Sequence, residues 1–272
     1  MNKLTEKTLA DLCAEVQTIS MSVGRFILEQ RKNFQQSDVH EKSFNNLVSY
    51  VDEQAERMFA EQLAPLLNGA GFITEEDQNR ETGERYNWII DPLDGTTNFV
   101  HGVPCFATSV ALAEDGVPVL GVVYEINLEE CFYAWRGGGA WMNGERISVS
   151  KSPSLKQALL GTGFPYYDHG LLKPYLALFE DLMQNSRGLR RPGSAATDMA
   201  YVACGRYDAF YEYGLHAWDV AAGIVLIEEA GGIATDFKGN RNPVSGKRIV
   251  CGTKAVHAEL LEKINFHFPD ET

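Results

Sequence analysis

Positive charge is scarce in this chain. Lys and Arg number 24 against 37 Asp and Glu, for a formal net charge of −13. That sign opposes direct binding of nucleic acid, whose phosphates are held by Lys and Arg. It does not exclude an anionic substrate, because bound cations reverse the local sign. Most of these acids read as solvated surface. Long apolar runs are also missing, and none approaches the roughly 18 residues that cross a bilayer, so no membrane partner is expected. The opening Met1-Asn-Lys-Leu-Thr-Glu-Lys7 lacks the apolar core of a signal peptide. Cysteine is sparse: the five at 13, 105, 131, 204 and 251 show no metal-type spacing, and their odd number argues against a full disulfide framework. They read as small core groups in a reducing cytoplasm. No internal repeat, low-complexity tract or linker interrupts the chain. What remains is 272 residues, 44% hydrophobic, enough for a large core in one domain or two closely packed halves.

Periodicity predicts a long helix over 4–31, with Leu9, Leu12, Val16, Ile19, Val23, Phe26 and Ile27 on one face. A second helix is expected over 46–64, ending near Pro65 and carrying Asp52. Gly71–Thr74 reads as a short strand that delivers Glu75 and Glu76 at its end. Phe106–Ala113 and Val117–Tyr124 read as central strands, with hairpin signals at Asp115-Gly116 and Asn143-Gly144. Gly137-Gly138-Gly139 lacks the Lys-Ser/Thr ending and following helix of a phosphate loop, and reads as a tight turn. Beyond residue 150 the pattern alternates: strands at 158–162, 207–211 and 249–251, and helices at 171–186, 194–204 and 216–230, closed by Gly231-Gly232. A final helix follows. The alternation predicts layered α/β architecture.

The most informative stretch is Asp91-Pro-Leu-Asp-Gly-Thr-Thr-Asn-Phe99, directly after the apolar Trp88-Ile89-Ile90. Pro92 cannot donate to a ladder, so the chain turns after Asp91 and the Leu93 carbonyl leaves sheet pairing. Gly95 lets the backbone approach a ligand. Thr96 and Thr97 are good cap residues at a helix start, where unpaired N–H groups attract phosphate. Carboxylate and carbonyl oxygens suit Mg²⁺. The plain alternative is an Asx-turn with two solvated acids. Plain readings also stand beside the other acids. Asp52 could be a helix-surface acid, Glu75 part of a polar loop and Glu212 a rim charge. Asp219 could simply interact with the dipole of a helix that is apolar on nearly every side. His101, His169 and His216 show no ligand pattern, and Trp218 reads as packing.

Three segments together make the sequence resemble the inositol monophosphatase family of Mg²⁺-dependent, lithium-sensitive phosphatases. They are Phe72-Ile-Thr-Glu-Glu76, Trp88–Phe99 and Trp218-Asp-Val-Ala-Ala-Gly223. Their order and separation match from about residue 40 to about residue 253. The family usually has Gly in place of Thr74, and Gly-Thr-Ala-Ala in place of Gly193-Ser194-Ala195-Ala196. The resemblance implies an αβαβα sandwich of the inositol monophosphatase and fructose-1,6-bisphosphatase type. It would have an N-terminal subdomain over 1–150 and a C-terminal one over 151–272, with the site between them.

The same resemblance implies a metal set of Glu75, Asp91, the Leu93 carbonyl, Asp94 and Asp219, holding two or three Mg²⁺. It implies that Thr96, hydrogen-bonded to Asp52, orients a Mg²⁺-activated water with help from Glu75, so that Asp52, Glu75 and Thr96 form the catalytic group. Substrate contacts fall to Asp94, Gly95, Thr96, Thr97, Gly193, Ser194, Ala195, Glu212 and Asp219. Gly161-Thr-Gly-Phe-Pro165 resembles a further loop near the substrate. The implied activity is hydrolysis of myo-inositol monophosphates by a cytoplasmic homodimer, without a phosphoenzyme. Gly95-Thr-Thr-Asn-Phe99 argues against the bisphosphate-nucleotidase branch, which typically has Lys after the first Thr. Histidinol phosphate, fructose 1,6-bisphosphate and other sugar phosphates stay open as substrates. A regulatory protein that binds the transcription machinery is the alternative of a different class.

Overall fold

In the computed structural model, residues 4–34, 39–43, 46–77, 80–164, 170–245 and 247–268 are described. His169 and Pro165 lie outside them. The chain begins with helix α1 (Glu6–Arg31), capped where Thr5 Oγ accepts from the Thr8 N–H at 3.2 Å. A short antiparallel pair, β1 (Val39–Ser43) and β2 (Asn46–Ser49), precedes α2 (Tyr50–Leu63). The helix expected from residue 46 therefore starts at Tyr50. Ser49 explains the shift: it adopts an extended N-cap conformation, and its hydroxyl accepts from the Val51 N–H.

A sheet of seven strands follows in the order β3 (Gly71–Thr74), β4 (Tyr86–Asp94), β5 (Ala107–Glu114), β6 (Val117–Glu125), β7 (Glu130–Trp135), β8 (Gly139–Met142) and β9 (Glu145–Ile147). Only β3–β4 is a parallel pair. Helix α3 (Thr96–His101) interrupts the run after β4. Asp115-Gly116 and Asn143-Gly144 form the expected hairpin turns, all four residues having positive φ. The Gly137–Gly139 turn donates its N–H groups to the Glu229 carboxylate, from Gly137 at 2.9 Å and Gly139 at 2.8 Å, so its donors are satisfied within the chain.

A second sheet of five strands has the order β11-β10-β12-β14-β13. Its members are β10 (Leu159–Thr162), β11 (Gly188–Arg190), β12 (Ala209–Tyr213), β13 (Ile233–Thr235) and β14 (Arg248–Gly252). Helices α4 (Leu172–Asn185), α5 (Ala195–Ala203), α6 (Ala217–Glu229) and α7 (Lys254–His267) complete the chain. The strand expected at 207–211 begins two residues later. Residues 206–208 instead turn out of α5, with the Arg206 and Tyr207 N–H groups both donating to the Tyr201 carbonyl. Glu212 consequently lies inside β12 and not at its end.

Three buried clusters define the layers. Val110 and Leu112 of β5 point to α1 and α2, where they meet Val16, Val23 and Phe59. Ala107 and Ala111, on the opposite face of β5, meet α5 and α6. Phe210 of β12 and Ile249 and Cys251 of β14 close on those helices from the second sheet. Tyr211 and Val250 face the other way, onto α4 and α7. Helix pairs and sheets thus alternate as αβαβα. Alternation along each strand (period two) is what sends neighbouring residues into different cores. The central α6 sits unusually close to the first sheet: a Cβ on Gly121 would stand 2.5 Å from the Ala222 carbonyl oxygen.

Candidate active site

The first wall of the site comes from the end of β4. Asp91 pairs with Ser109 and Asp94 with Ala107, so the register slips between them and Pro92 and Leu93 fall out of the ladder. The freed groups find local partners. The Leu93 N–H donates to Asp91 Oδ1 at 2.9 Å, and the Leu93 carbonyl oxygen lies 3.0 Å from Thr96 Oγ1. Gly95 adopts φ 97°, and a Cβ there would stand 3.0 Å from the Cys105 carbonyl oxygen. Gly95 itself is therefore the N-cap of α3, and the Thr96 hydroxyl is used elsewhere: it also lies 2.9 Å from Asp52 Oδ1. The cap role expected of Thr96 and Thr97 is displaced because only glycine fits the left-handed turn.

Helix α2 supplies two buried acids on one face. The Oδ2 of Asp52 accepts from the Ser49 N–H at 2.9 Å and the Ser49 hydroxyl at 2.6 Å, leaving Oδ1 for Thr96. One turn later, Glu56 accepts from the N–H groups of Glu76 at 2.8 Å and Asp77 at 3.1 Å. It also pairs with Arg80 at 3.3 Å. Glu56 thereby fixes the loop that presents Glu75. Its signal in the sequence was an acid four residues after Asp52, on the stripe that buries Val51, Ala55 and Phe59.

The second wall comes from α5, β12 and α6. Ser194 caps α5, and its hydroxyl donates to Asp94 Oδ2 at 2.6 Å; the Ala196 N–H reaches the same oxygen at 2.7 Å. Asp219, in the first turn of α6, accepts from the His216 N–H at 2.6 Å. Ser109 joins the walls. It is the sheet partner of Asp91, and its hydroxyl donates to the carbonyl of Trp218, the neighbour of Asp219, at 3.1 Å. The His216 and Trp218 rings stack at 4.7 Å beside the site.

Between the walls lies a cavity of about 150 Å³. Glu75, Asp91, Leu93, Asp94, Gly95, Thr96, Thr97, Gly193, Ser194, Ala195, Glu212 and Asp219 all line it, with Asp52 behind Thr96. Arg191, Asp198, Gly163 and Phe164 also line it. Arg191 and Asp198 were not anticipated. An acid within the small-residue helix Ala195–Ala203 was the available signal for Asp198.

The electrostatics are those of acids forced together. Burial, then repulsion from Asp219, Glu76, Asp52 and Asp94, pushes Glu75 well above the usual carboxylate range. Asp91 is raised well above that range by burial and by Glu75, Asp94 and Asp219. Asp219 rises to about 8, chiefly through burial and then Asp94. Asp94 rises only to about 6, because Ser194, the Ala196 N–H and Arg191 offset its burial. Asp52 is raised by burial against its hydrogen bonds.

Asp91, Asp94 and Asp219 each offer one carboxylate oxygen, all within 4.8 Å of one another. Hard anionic donors at this spacing fit a hard divalent cation of the Mg²⁺ type, which keeps several waters and takes few protein ligands. Burial raises the proton affinity of all three, with repulsion adding to it at Asp91 and Asp219, and such a cation would offset both.

Nearly the whole chain is similar to known proteins of one family. The sequence profile of the inositol monophosphatase family matches residues 10–268. The chain is 42% identical over 253 residues to the Nus factor SuhB of Pseudomonas aeruginosa, covering 91% of this chain and 93% of that protein. It is 41% identical over 249 residues to the inositol-1-monophosphatase of Rhizobium meliloti, covering 91% and 94%. Among solved structures, SuhB of Bartonella henselae matches with a TM-score of 0.84 at 38% identity, covering 91% of this chain and 95% of that one. An IMPase of Thermotoga maritima matches with a TM-score of 0.84 at 33% identity, covering 94% and 98%. The chain belongs to the inositol monophosphatase family, a family of metal-dependent phosphatases.

Proposed function

We propose that this chain hydrolyses myo-inositol monophosphates with Mg²⁺, giving inositol and phosphate. The observation that carries the reading is the meeting of Asp91, Asp94 and Asp219, from β4 and α6, around one point in the cavity. Asp91, Asp94 and Asp219, with Glu75 and the Leu93 carbonyl, would hold two or three ions. Bound there, Mg²⁺ supplies Lewis-acid stabilisation of the ester oxygens and acidifies a water. The chain's own groups do the positioning. Thr96 has a single hydroxyl proton, directed to Asp52 or Leu93. Its lone pairs are then left to accept from the attacking water and align it. Asp52 and Glu75, both with raised proton affinity, would take up the proton that the water loses. The N–H groups of Gly95, Thr96 and Thr97 would receive phosphate oxygens, while Gly193, Ser194, Ala195 and Glu212 face the alcohol. Catalysis is then mostly orientation and charge neutralisation.

The test is a panel of esters assayed for released phosphate against Mg²⁺ concentration, with and without lithium. Myo-inositol 1-phosphate should be turned over fastest, and lithium should inhibit. Faster release from histidinol phosphate or fructose 1,6-bisphosphate would replace inositol phosphate as the substrate. In the same reading the enzyme is a cytoplasmic homodimer, which light scattering and cell fractionation check. A second reading follows from the relatives named Nus factor SuhB: the chain binds the transcription machinery. Recovery of RNA polymerase in a pull-down, with no turnover on any ester, would favour it.

A further inference from the structure

Asn98 lies in α3, inside the Asp91–Phe99 stretch, and is half-buried. Its carboxamide nitrogen donates twice. Nδ2 reaches the Cys105 carbonyl at 2.7 Å and the Pro192 carbonyl at 2.9 Å. Cys105 follows α3 on the same wall. Pro192 is 94 residues away in sequence, between β11 and α5, on the other wall. A primary amide suits this task, because it carries two donors in a fixed plane.

The seam that Asn98 spans is tight. Gly193 adopts φ 99°, and a Cβ there would stand 3.0 Å from Asn98 Nδ2 and 3.4 Å from Asn98 Oδ1. A Cβ on Gly95 would stand 3.3 Å from the Gly193 carbonyl oxygen. The two glycines let the backbones of the walls approach, and the Asn98 amide fills the space beside Gly193. Just beyond, the Ser194 hydroxyl and the Ala196 N–H hold Asp94. The loop is therefore fastened to the first wall on both sides of Gly193, by Asn98 before it and by Asp94 after it.

We propose that Asn98 is a positioning residue that sets the separation of the two walls. It fixes the Pro192–Gly193 loop, on the alcohol side, against the turn at Gly95, on the phosphate side. This rests on the phosphatase reading. A ligand that spans both walls then depends on Asn98, and a ligand held by the first wall alone does not. Small misplacements of this kind cost binding and orientation without removing any reacting group.

The experiment compares the full chain with Asn98→Ala and with Asn98→Asp, which keeps the shape but cannot donate to either carbonyl. For myo-inositol 1-phosphate, KM should rise about tenfold in each variant, since two hydrogen bonds are lost. The Thr96–Asp52 bond is untouched, so kcat should stay within about twofold. Inhibition by inorganic phosphate, a ligand of the first wall, should also change by less than about twofold. Hydrogen–deuterium exchange, read by mass spectrometry, needs no turnover. Amides of residues 193–198 should exchange about tenfold faster in the variants, and those of residues 86–93 at an unchanged rate. A lower melting temperature with KM unchanged, equal weakening of ester and inorganic phosphate, or unchanged exchange at 193–198 overturns the proposal. If neither variant folds, the two Asn98 Nδ2 protons are followed by NMR in the unmodified chain. Slow exchange with solvent supports the clamp, and rapid exchange overturns it. Absence of Mg²⁺-dependent hydrolysis of every ester by the unmodified chain overturns the phosphatase reading, and the exchange rates alone then decide whether Asn98 fastens the walls.

Discussion

The two walls of the cavity are built on opposite plans. On the β4 wall, the acids and the hydroxyl are tied to the chain: Asp91 to the Leu93 N–H, Thr96 to Asp52 and Leu93, Asp52 to Ser49. On the α5–β12 wall, Ser194 and Asp219 are tied in the same way, but Glu212 packs against Gly163 and Asp198 Oδ1 has no hydrogen-bond partner among the described residues. A wall that holds small cations needs donors fixed to within fractions of an ångström, and short-range hydrogen bonds provide that.

Breaking the β4 wall should have the largest effect. Asp94→Asn keeps the shape but removes a charge shared by both walls. Losing about 4 kcal/mol of transition-state stabilisation slows turnover roughly a thousandfold, measurable as phosphate release from a protein with an unchanged circular dichroism spectrum. Next comes Glu56→Ala, which touches no substrate. It frees the Glu76 and Asp77 N–H groups and loosens Glu75, so a loss of about 10–100-fold in Mg²⁺ affinity or activity is expected, read by calorimetric titration of Mg²⁺.

The pH dependence sharpens the same contrast. Asp219 is raised to about 8 and Asp94 to about 6 in the metal-free fold. The folded chain then retains protons that the unfolded chain releases near the ordinary carboxylate value. Stability from this source is fully present below about pH 4 and is lost as pH rises through about 8. Thermal melts without metal should therefore fall between pH 5 and 9, and added Mg²⁺ should reduce that fall. Calorimetry in buffers of different ionisation heat should show protons released on Mg²⁺ binding at pH 7 and fewer at pH 9. The smallest effect is expected from Ser109→Ala, which removes one hydrogen bond between the walls. About 1 kcal/mol, or roughly fivefold in kcat/KM, is its expected scale.

The same contrast explains what could be read in advance. The β4 wall is contiguous, Asp91 to Phe99, so its acids, its proline and its glycine announce a turn and a cation site together. The layered architecture was legible too, because strands and helices alternate beyond residue 150. Helix α2 was placed too early since apolar Leu47 and Val48 continue a helical pattern that Ser49 stops by capping. Strand β12 was placed two residues early because Tyr207 is apolar in type but belongs to the turn after α5. The α5–β12 wall is assembled from residues far apart, and nothing local links Gly163 to Glu212. Glu56 and Asp198 are not legible because a charged residue in a helix is ordinarily on its surface, and only tertiary packing buries these two.

Crystals soaked in Mn²⁺ and measured at its absorption edge test the central claim most directly, since Mn²⁺ takes the oxygen donors that Mg²⁺ takes. The account expects anomalous peaks between Asp91, Asp94 and Asp219, with at least one also touching Glu75. Peaks confined to the protein surface, with the three aspartates bare at saturating Mn²⁺, would contradict it.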